Sequence, residues 1–267
     1  MSKIGCIGTG NMGGALARAM GKSGHELYLS DFFPEKAQAL ANEIGKCARA
    51  VDNAEIVREC DMIFLGVKPQ MLSALADELR DALATRKSHV CLVSMAAGVT
   101  LAKLSELFGN NLAIVRIMPN TPAAVGAGMI LFTENPLASE EDKTLLRHAL
   151  AFAGKLDHIE ERLIDAASAV SGCGPAFVCL FVEALADGGV RCGLPREKAL
   201  DYAIETLKGT ALLLSESGKH PARVKDEVCS PAGSTIEGVT ALENGGFRAL
   251  TIDAVTAAYE RTKELGK

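Results

Sequence analysis

The chain opens on a short apolar run over residues 4–8 and then changes period. Apolar positions over 12–23 recur at three- and four-residue spacing, which predicts a helix ending at Gly24. Glu26–Ser30 reads as a second strand. Pro34–Ile44 reads as a helix with Pro in its first turn, where the missing N–H costs nothing. Residues 62–67, 90–95 and 112–117 are further apolar runs of strand length, and a helix is expected from Pro69 to about Ala84. Residues 128–133 and 155–158 are candidate edge strands around a helix over 139–152. Strands that are apolar throughout, separated by helices, predict a parallel sheet covered on both faces. The predicted fold class is α/β, with a Rossmann-type domain over residues 1–162.

Beyond about residue 162 helix replaces strand. Residues 175–190 open with Pro and are apolar nearly all round, so this helix is expected to be buried between others. The segment 195–214 also opens with Pro and carries a stripe of Leu200, Ile204, Leu207, Ala211 and Leu214. Residues 235–243 and Phe247–Leu265 complete an all-helical domain expected over 163–267. Its apolar surface exceeds what one small domain buries, which points to a homodimer at least.

Composition narrows the picture. Hydrophobic residues make up 48% of the 267 and aromatics only 4%, so the core must be aliphatic. A net charge of −5 without a basic run argues against a nucleic-acid partner. No run approaches the roughly 18 consecutive apolar residues of a membrane span, and a strand pattern beginning at Lys3 leaves no room for a signal peptide. A cytoplasmic location is expected. Eight cysteines without a two-residue spacing are expected to be buried, reduced thiols. The five histidines have no metal-ligand spacing, so no metal is expected.

The strongest local motif is Gly8-Thr9-Gly10-Asn11-Met12-Gly13, directly after a strand and opening a helix. Gly8 permits the tight turn, Gly10 lets the backbone approach a pyrophosphate, and Gly13 lets helix and strand pack closely. The helix N-terminus then faces the phosphates. Asp31, just past the second strand, suits a ribose 2′-hydroxyl and NAD. It serves equally well as an acid ahead of a helix. Ser30, Lys36 and Asn53 are the polar groups left for a 2′-phosphate. Gly66-Val67-Lys68-Pro69, Ser94-Met95-Ala96-Ala97-Gly98 and Met118-Pro119-Asn120-Thr121-Pro122 each end a strand. An ordinary turn explains any one of them, but together they line one rim of one sheet.

Two polar loops stand out in the helical half. Ser171-Gly172-Cys173-Gly174-Pro175-Ala176 opens one apolar helix, and Cys229-Ser230-Pro231-Ala232-Gly233-Ser234-Thr235 opens another. The N–H groups of Gly233, Ser234 and Thr235 can form a nest for a carboxylate. A helix N-cap by Ser or Thr is the alternative.

In this order, these residues resemble the pyrroline-5-carboxylate reductase family, from residue 5 to about 265. The most specific stretch is 226–247, with Val228-Cys229-Ser230-Pro231, Gly233-Ser234-Thr235-Ile236, Leu242-Glu243 and Gly245-Gly246-Phe247-Arg248. The resemblance implies a Rossmann domain and a helical domain that interlocks with its twofold mate, with five dimers forming a ring in many members. It implies reduction of the C=N bond of Δ1-pyrroline-5-carboxylate, a cyclic imine, to proline. NADPH is the usual donor, and NADH is accepted by many members. Carried over residue by residue, it implies cofactor contacts at Gly8, Gly10, Asn11, Met12, Ser30, Asn53, Val67, Lys68, Pro69, Ala96 and Asn120, beside the Gly13 and Asp31 of the motif reading. It implies substrate contacts at Ser230, Gly233, Ser234 and Thr235, with Ser171, Gly172, Gly174 and Pro175 shaping the pocket. Thr235 is the candidate catalytic group, hydrogen-bonding the imine nitrogen. The chain departs from the pattern at Ala232, where many relatives have Gly, at Phe177, where many have Tyr, and at Cys173, where a hydroxyl is common. Two alternatives are a β-hydroxyacid dehydrogenase and a non-catalytic NAD(P)H sensor. The first needs a Lys that residues 176–181 lack, and the polar loop at 230–235 argues against the second.

Overall fold

A computed structural model describes residues 1–265, and the last two residues of the expected helical domain lie outside it. The chain divides into two compact units, residues 1–173 with the end of the last helix, and residues 174–257.

The first unit runs β1 (Lys3–Ile7), α1 (Asn11–Met20), β2 (Glu26–Ser30), α2 (Pro34–Ile44), β3 (Ala48–Ala50), α3 (Asn53–Glu59), β4 (Met62–Leu65), α4 (Leu72–Thr85), β5 (Cys91–Ser94), α5 (Leu101–Phe108), β6 (Ala113–Met118), β7 (Gly128–Glu134), α6 (Glu140–Ala149), β8 (Gly154–His158) and α7 (Glu161–Ser171). Eight strands form one sheet in the order β3-β2-β1-β4-β5-β6-β7-β8. It is parallel from β3 to β6, and β7 pairs antiparallel with β6. Of the two expected edge strands only β8 is an edge, because β7 lies between β6 and β8. Side chains alternate between two cores. Ile4, Cys6, Met62, Phe64, Cys91 and Val93 pack towards α1, α2 and α6. Ile63, Leu65, Leu92 and Ile114 pack towards α3, α4 and α5. Both faces are therefore apolar, which is why the strands read as continuous runs.

Several boundaries differ from expectation for local reasons. Helix α1 stops at Met20 rather than Ser23, because Lys22 N and Ser23 N bond three residues back, to Ala19 O and Met20 O, and tighten the last turn. The helix expected from Pro69 starts as a 3-10 turn, Pro69–Met71, before α4. Elements β3 and α3, three and seven residues long, are too short for a period to show. Helix α3 is started by its cap: the Asp52 side chain accepts from Glu55 N at 2.7 Å.

Arg116 on β6 is fully buried and bolts the sheet to α7. Its guanidinium reaches Asp165 at 2.7 Å and Glu161 at 3.4 Å, and Glu161 also accepts from Leu101 N at 2.6 Å.

The second unit holds α8 (Gly174–Arg191), α9 (Arg196–Ser217), α10 (Pro221–Val228), α11 (Ser234–Asn244) and most of α12 (Phe247–Leu265). Its core is thin. Helices α8 and α9 meet through Ala186, Ala199 and Ala203. The expected burial of α8 does not occur within the protomer, since Val178, Leu180 and Leu185 are exposed. In the α9 stripe Leu200 and Ile204 are exposed, and the buried positions lie one residue earlier. So large an apolar surface marks an interaction face.

The cysteine expectation holds for Cys6, Cys60 and Cys91, which are buried, while Cys179 and Cys192 are exposed. Burial pushes the Cys6 and Cys60 thiols up to about 12, which makes them inert at neutral pH.

Candidate functional site

The parallel register sets Ile7, Ser30, Leu65 and Ser94 side by side as the last residues of β1, β2, β4 and β5. The loops that follow therefore emerge along one rim. Gly8 turns sharply with φ +96°, in the left-handed region that favours glycine, and its N–H donates to Ser30 O at 2.8 Å. A side chain at Gly13 would start 2.0 Å from Gly8 O, so only glycine lets α1 pack against the turn. Gly10 differs: a Cβ there would meet nothing within 4 Å, because the space in front of it is open. Gly10 is the N-cap of α1, and no side chain caps that end among the described residues. Asn11 and Met12 open the first turn beside it. Free N–H groups, a helix dipole and open space in front of Gly10 form a cradle for a phosphate.

Asp31 binds this loop directly. Its carboxylate accepts from Thr9 N at 2.7 Å, Thr9 Oγ1 at 2.9 Å and Phe33 N at 3.1 Å. Burial pushes its pKa up, but the N–H bonds from Phe33 and Thr9, the Thr9 hydroxyl and nearby Lys36 outweigh it and hold the group below the usual carboxylate range. Asp31 is thus an ionised clamp on the phosphate loop.

Beside the loop lies a cleft of about 900 Å³, lined by Gly8, Ser30, Asp31, Asn53 and Val67 among others. Asn53 donates from Nδ2 to Glu78 at 2.7 Å, while its Oδ1 is buried without a partner. An orphaned acceptor in an open cleft fits a ligand donor. Lys68 is exposed just before the Pro69–Met71 turn. Ala96 is buried, its N–H facing Ser94 Oγ at 3.3 Å. Asn120 is buried and committed to the protein: Nδ2 donates to Ser171 O and Oδ1 accepts from Met129 N, each at 2.8 Å. Phe32, Glu35, Gln38, Asp52, Gln70 and Glu78 also line the cleft and were missed in the sequence. The cap at Asp52 was the available signal, because it announces the helix that brings Asn53 to the rim.

The two polar loops fall differently. Ser171 ends α7, and its hydroxyl donates to Ala167 O at 3.0 Å, an ordinary helical back-bond. Gly172 and Cys173 close the first unit, and Gly174 and Pro175 begin α8 in the second. In the 230–235 loop, Gly233 is the N-cap of α11 and donates to Ser230 O at 3.0 Å. A Cβ on Gly233 would lie 2.3 Å from Ser230 Oγ. Neither Ser nor Thr caps α11, so the expected capping alternative fails here. Ser234 and Thr235 are exposed, and the N-terminus of α11 stays open to an anion. Ala232 has φ +57°, the only non-glycine in the left-handed region among the described residues.

Comparison with known proteins matches two parts of the chain to two family models. Residues 161–265 match the family model for pyrroline-5-carboxylate reductase dimerisation, and residues 3–98 match one described as NADP oxidoreductase, coenzyme F420-dependent. The exposed apolar faces of α8 and α9 thus lie in a dimerisation region. So does the stretch Glu161–Arg191, which by length and composition alone would suffice to cross a membrane. The chain is 40% identical to the pyrroline-5-carboxylate reductase of Glycine max over 98% of its own length and 95% of the relative's. It is 39% identical to that of Escherichia coli over 99% and 98%. The Plasmodium falciparum pyrroline carboxylate reductase, solved with NADP bound, superimposes with a TM-score of 0.87 at 31% identity, covering 100% and 98% of the two chains. From the glycine loop at one end to the uncapped α11 and the dimerisation helices at the other, this chain belongs to the pyrroline-5-carboxylate reductase family.

Proposed function

We propose that this protein reduces Δ1-pyrroline-5-carboxylate to L-proline with NADPH or NADH, the last step of proline biosynthesis. Residues 1–162 hold the dinucleotide, and residues 163–267 carry the subunit contacts and the substrate loop. The observation that carries this reading is full-length similarity joined to two uncapped helix N-termini, one suited to a pyrophosphate and one to a carboxylate.

The reaction adds a hydride to the imine carbon and a proton to the nitrogen, so C=N becomes CH–NH. The dinucleotide, when bound, supplies the hydride. The protein's part is to orient the ring and exclude water. Gly8, Gly10, Asn11, Met12 and Gly13 cradle the pyrophosphate. Ser30, Asp31 and Asn53 lie at the adenosine end, and Val67, Lys68, Pro69, Ala96 and Asn120 form the rest of the rim. The backbone N–H groups at Ser234 and Thr235 hold the substrate carboxylate, beside Ser230 and Gly233, whose own N–H is taken by Ser230 O, while Ser171, Gly172, Gly174 and Pro175 shape the pocket. Thr235 Oγ1 hydrogen-bonds the imine nitrogen. A hydroxyl is too weak an acid to protonate it near neutral pH, so Thr235 positions the ring and the proton comes from water or the substrate itself. The protein works as a homodimer and assembles further into a ring of five dimers. It resides in the cytoplasm, where its eight free thiols stay reduced.

The test is to follow oxidation of the reduced cofactor with the imine as substrate and to quantify proline. Equal amounts of oxidised cofactor and proline are expected. Thr235→Ala should cut turnover and raise KM. Absence of imine-dependent oxidation in protein that binds the dinucleotide would overturn the reductase reading and favour the sensor.

A further inference from the structure

Helix α7 is fixed to one strand along its whole length. Arg116, Met118 and Asn120 alternate along β6 and its extended continuation, where Asn120 has φ −126° and ψ 167°, so their side chains share one face of the sheet. Each meets a later part of α7: Arg116 reaches Glu161 and Asp165, Met118 shares an apolar cluster with Ile164, and Asn120 holds Ser171 O. From 116 to 120 a strand rises about 13 Å, and from 161 to 171 a helix rises about 15 Å, so the two run in step.

Glu161 does more than pair with Arg116. Its Oε1 accepts from Leu101 N at 2.6 Å, across 60 positions of chain. Leu101 is the first residue of α5, and its N–H is one that the helix cannot satisfy itself. Residues 95–100, between β5 and α5, are loosely held by their own bonds. Those donated by Met95, Ala96 and Val99 run from 3.3 to 3.4 Å, at the weak end of the range. Thr100 Oγ1 accepts from Lys103 N at 3.2 Å, but that bond lies within the helix it opens. Glu161 therefore anchors the far end of the loop to a helix that is itself bolted to β6. The loop leaves the rim at β5, on the opposite side of β1 from β2. With Ser30, Asp31 and Asn53 at the adenosine end, it falls to the nicotinamide end.

We infer that Glu161 is a positioning residue for hydride transfer: it fixes the 95–100 loop at the nicotinamide end to the helix whose last turn opens the 171–175 loop. The inference rests on the proposed imine reduction. Glu161 acts through the Leu101 backbone and not on the reacting atoms.

The test compares three variants of the full chain with the parent. Glu161→Ala removes the acceptor, and it should fold because Arg116 keeps Asp165 as its closer partner at 2.7 Å. Glu161→Gln keeps an oxygen for Leu101 N. Asp165→Asn weakens the other arm of the Arg116 clamp and leaves Leu101 untouched. In Glu161→Ala, kcat for the imine should fall about tenfold while the Kd of NADPH changes by less than about threefold. The isotope effect with NADPH deuterated at the transferring C4 position should rise, because hydride transfer has slowed. Glu161→Gln should restore most of kcat. Asp165→Asn should lower Tm and leave kcat and the isotope effect as in the parent. Amide exchange over residues 95–101 should quicken in Glu161→Ala and not in Asp165→Asn. A Glu161→Ala variant that loses Tm but keeps kcat, isotope effect and exchange would overturn the inference, as would an Asp165→Asn variant with the same kinetic loss. If the parent reduces no imine, the reductase reading fails; quickened exchange in Glu161→Ala then still supports the anchoring of this loop, and unchanged exchange overturns it.

Discussion

Asn120 holds the end of α7 by its last carbonyl: Asn120 Nδ2 donates to Ser171 O at 2.8 Å. The same side chain accepts from Met129 N on β7 at 2.8 Å, so one amide joins the end of β6, the start of β7 and the terminus of α7. Removing it leaves a helix-terminal carbonyl and a strand N–H without partners. Asn120→Ala should therefore cost about 3 kcal/mol, since each orphaned group costs about 1–3 kcal/mol. Urea unfolding of the variant against the parent measures this.

Gly10 separates binding from folding. A methyl group there meets no protein atom within 4 Å and occupies the space offered to a phosphate. With φ −64°, the backbone carries no strain for alanine. Gly10→Ala should change stability by no more than about 1 kcal/mol while abolishing dinucleotide binding. Calorimetry of unfolding and of binding on one sample would show both, and tight binding by the variant would move the phosphate away from α1.

Ala232 is held in a backbone conformation that L-residues adopt at a cost of about 1–2 kcal/mol. Glycine removes that cost but loses more entropy on folding, about 0.5–1 kcal/mol. Ala232→Gly should be stabilising by up to about 1 kcal/mol. A Tm that does not rise would mean that the 230–235 loop adopts another conformation in solution.

His25 and His148 lie 2.7 Å apart between ring nitrogens, tying the start of β2 to α6. Burial, and then the His148 ring and the N-terminal ammonium, hold His25 below its ordinary value of 6.5, while Asp61 pulls weakly the other way. Below 6.5 the unfolded chain binds a proton at His25 that the folded chain still refuses, so stability falls as pH drops through this range; well above it His25 contributes no slope. His25→Gln keeps a hydrogen-bonding side chain and removes the titration. Its Tm should fall less steeply between about pH 7 and pH 5 than that of the parent.

Much of the dinucleotide half was legible because its signals are local. Glu26–Ser30 and Pro34–Ile44 carry their boundaries in period and in a first-turn proline, and the structure reproduces both. The glycine loop announces itself by position after a strand. By contrast, β3 and α3 were invisible, since three and seven residues cannot display a period. With them went Asp52, which lines the cleft beside Asn53.

The sequence by itself determined the alternation of elements, the glycine turn and the family to which the chain belongs, because each is written in neighbouring residues. Only the tertiary structure decided that Asp31 clamps Thr9, since that contact spans 22 positions and depends on the register of β1 with β2. It also decided that the apolar face of α8 stays uncovered within one protomer. Hydrophobic pattern states that a face must be buried, but what buries it is a matter of packing, and here the thin alanine contact with α9 leaves that face to a second subunit.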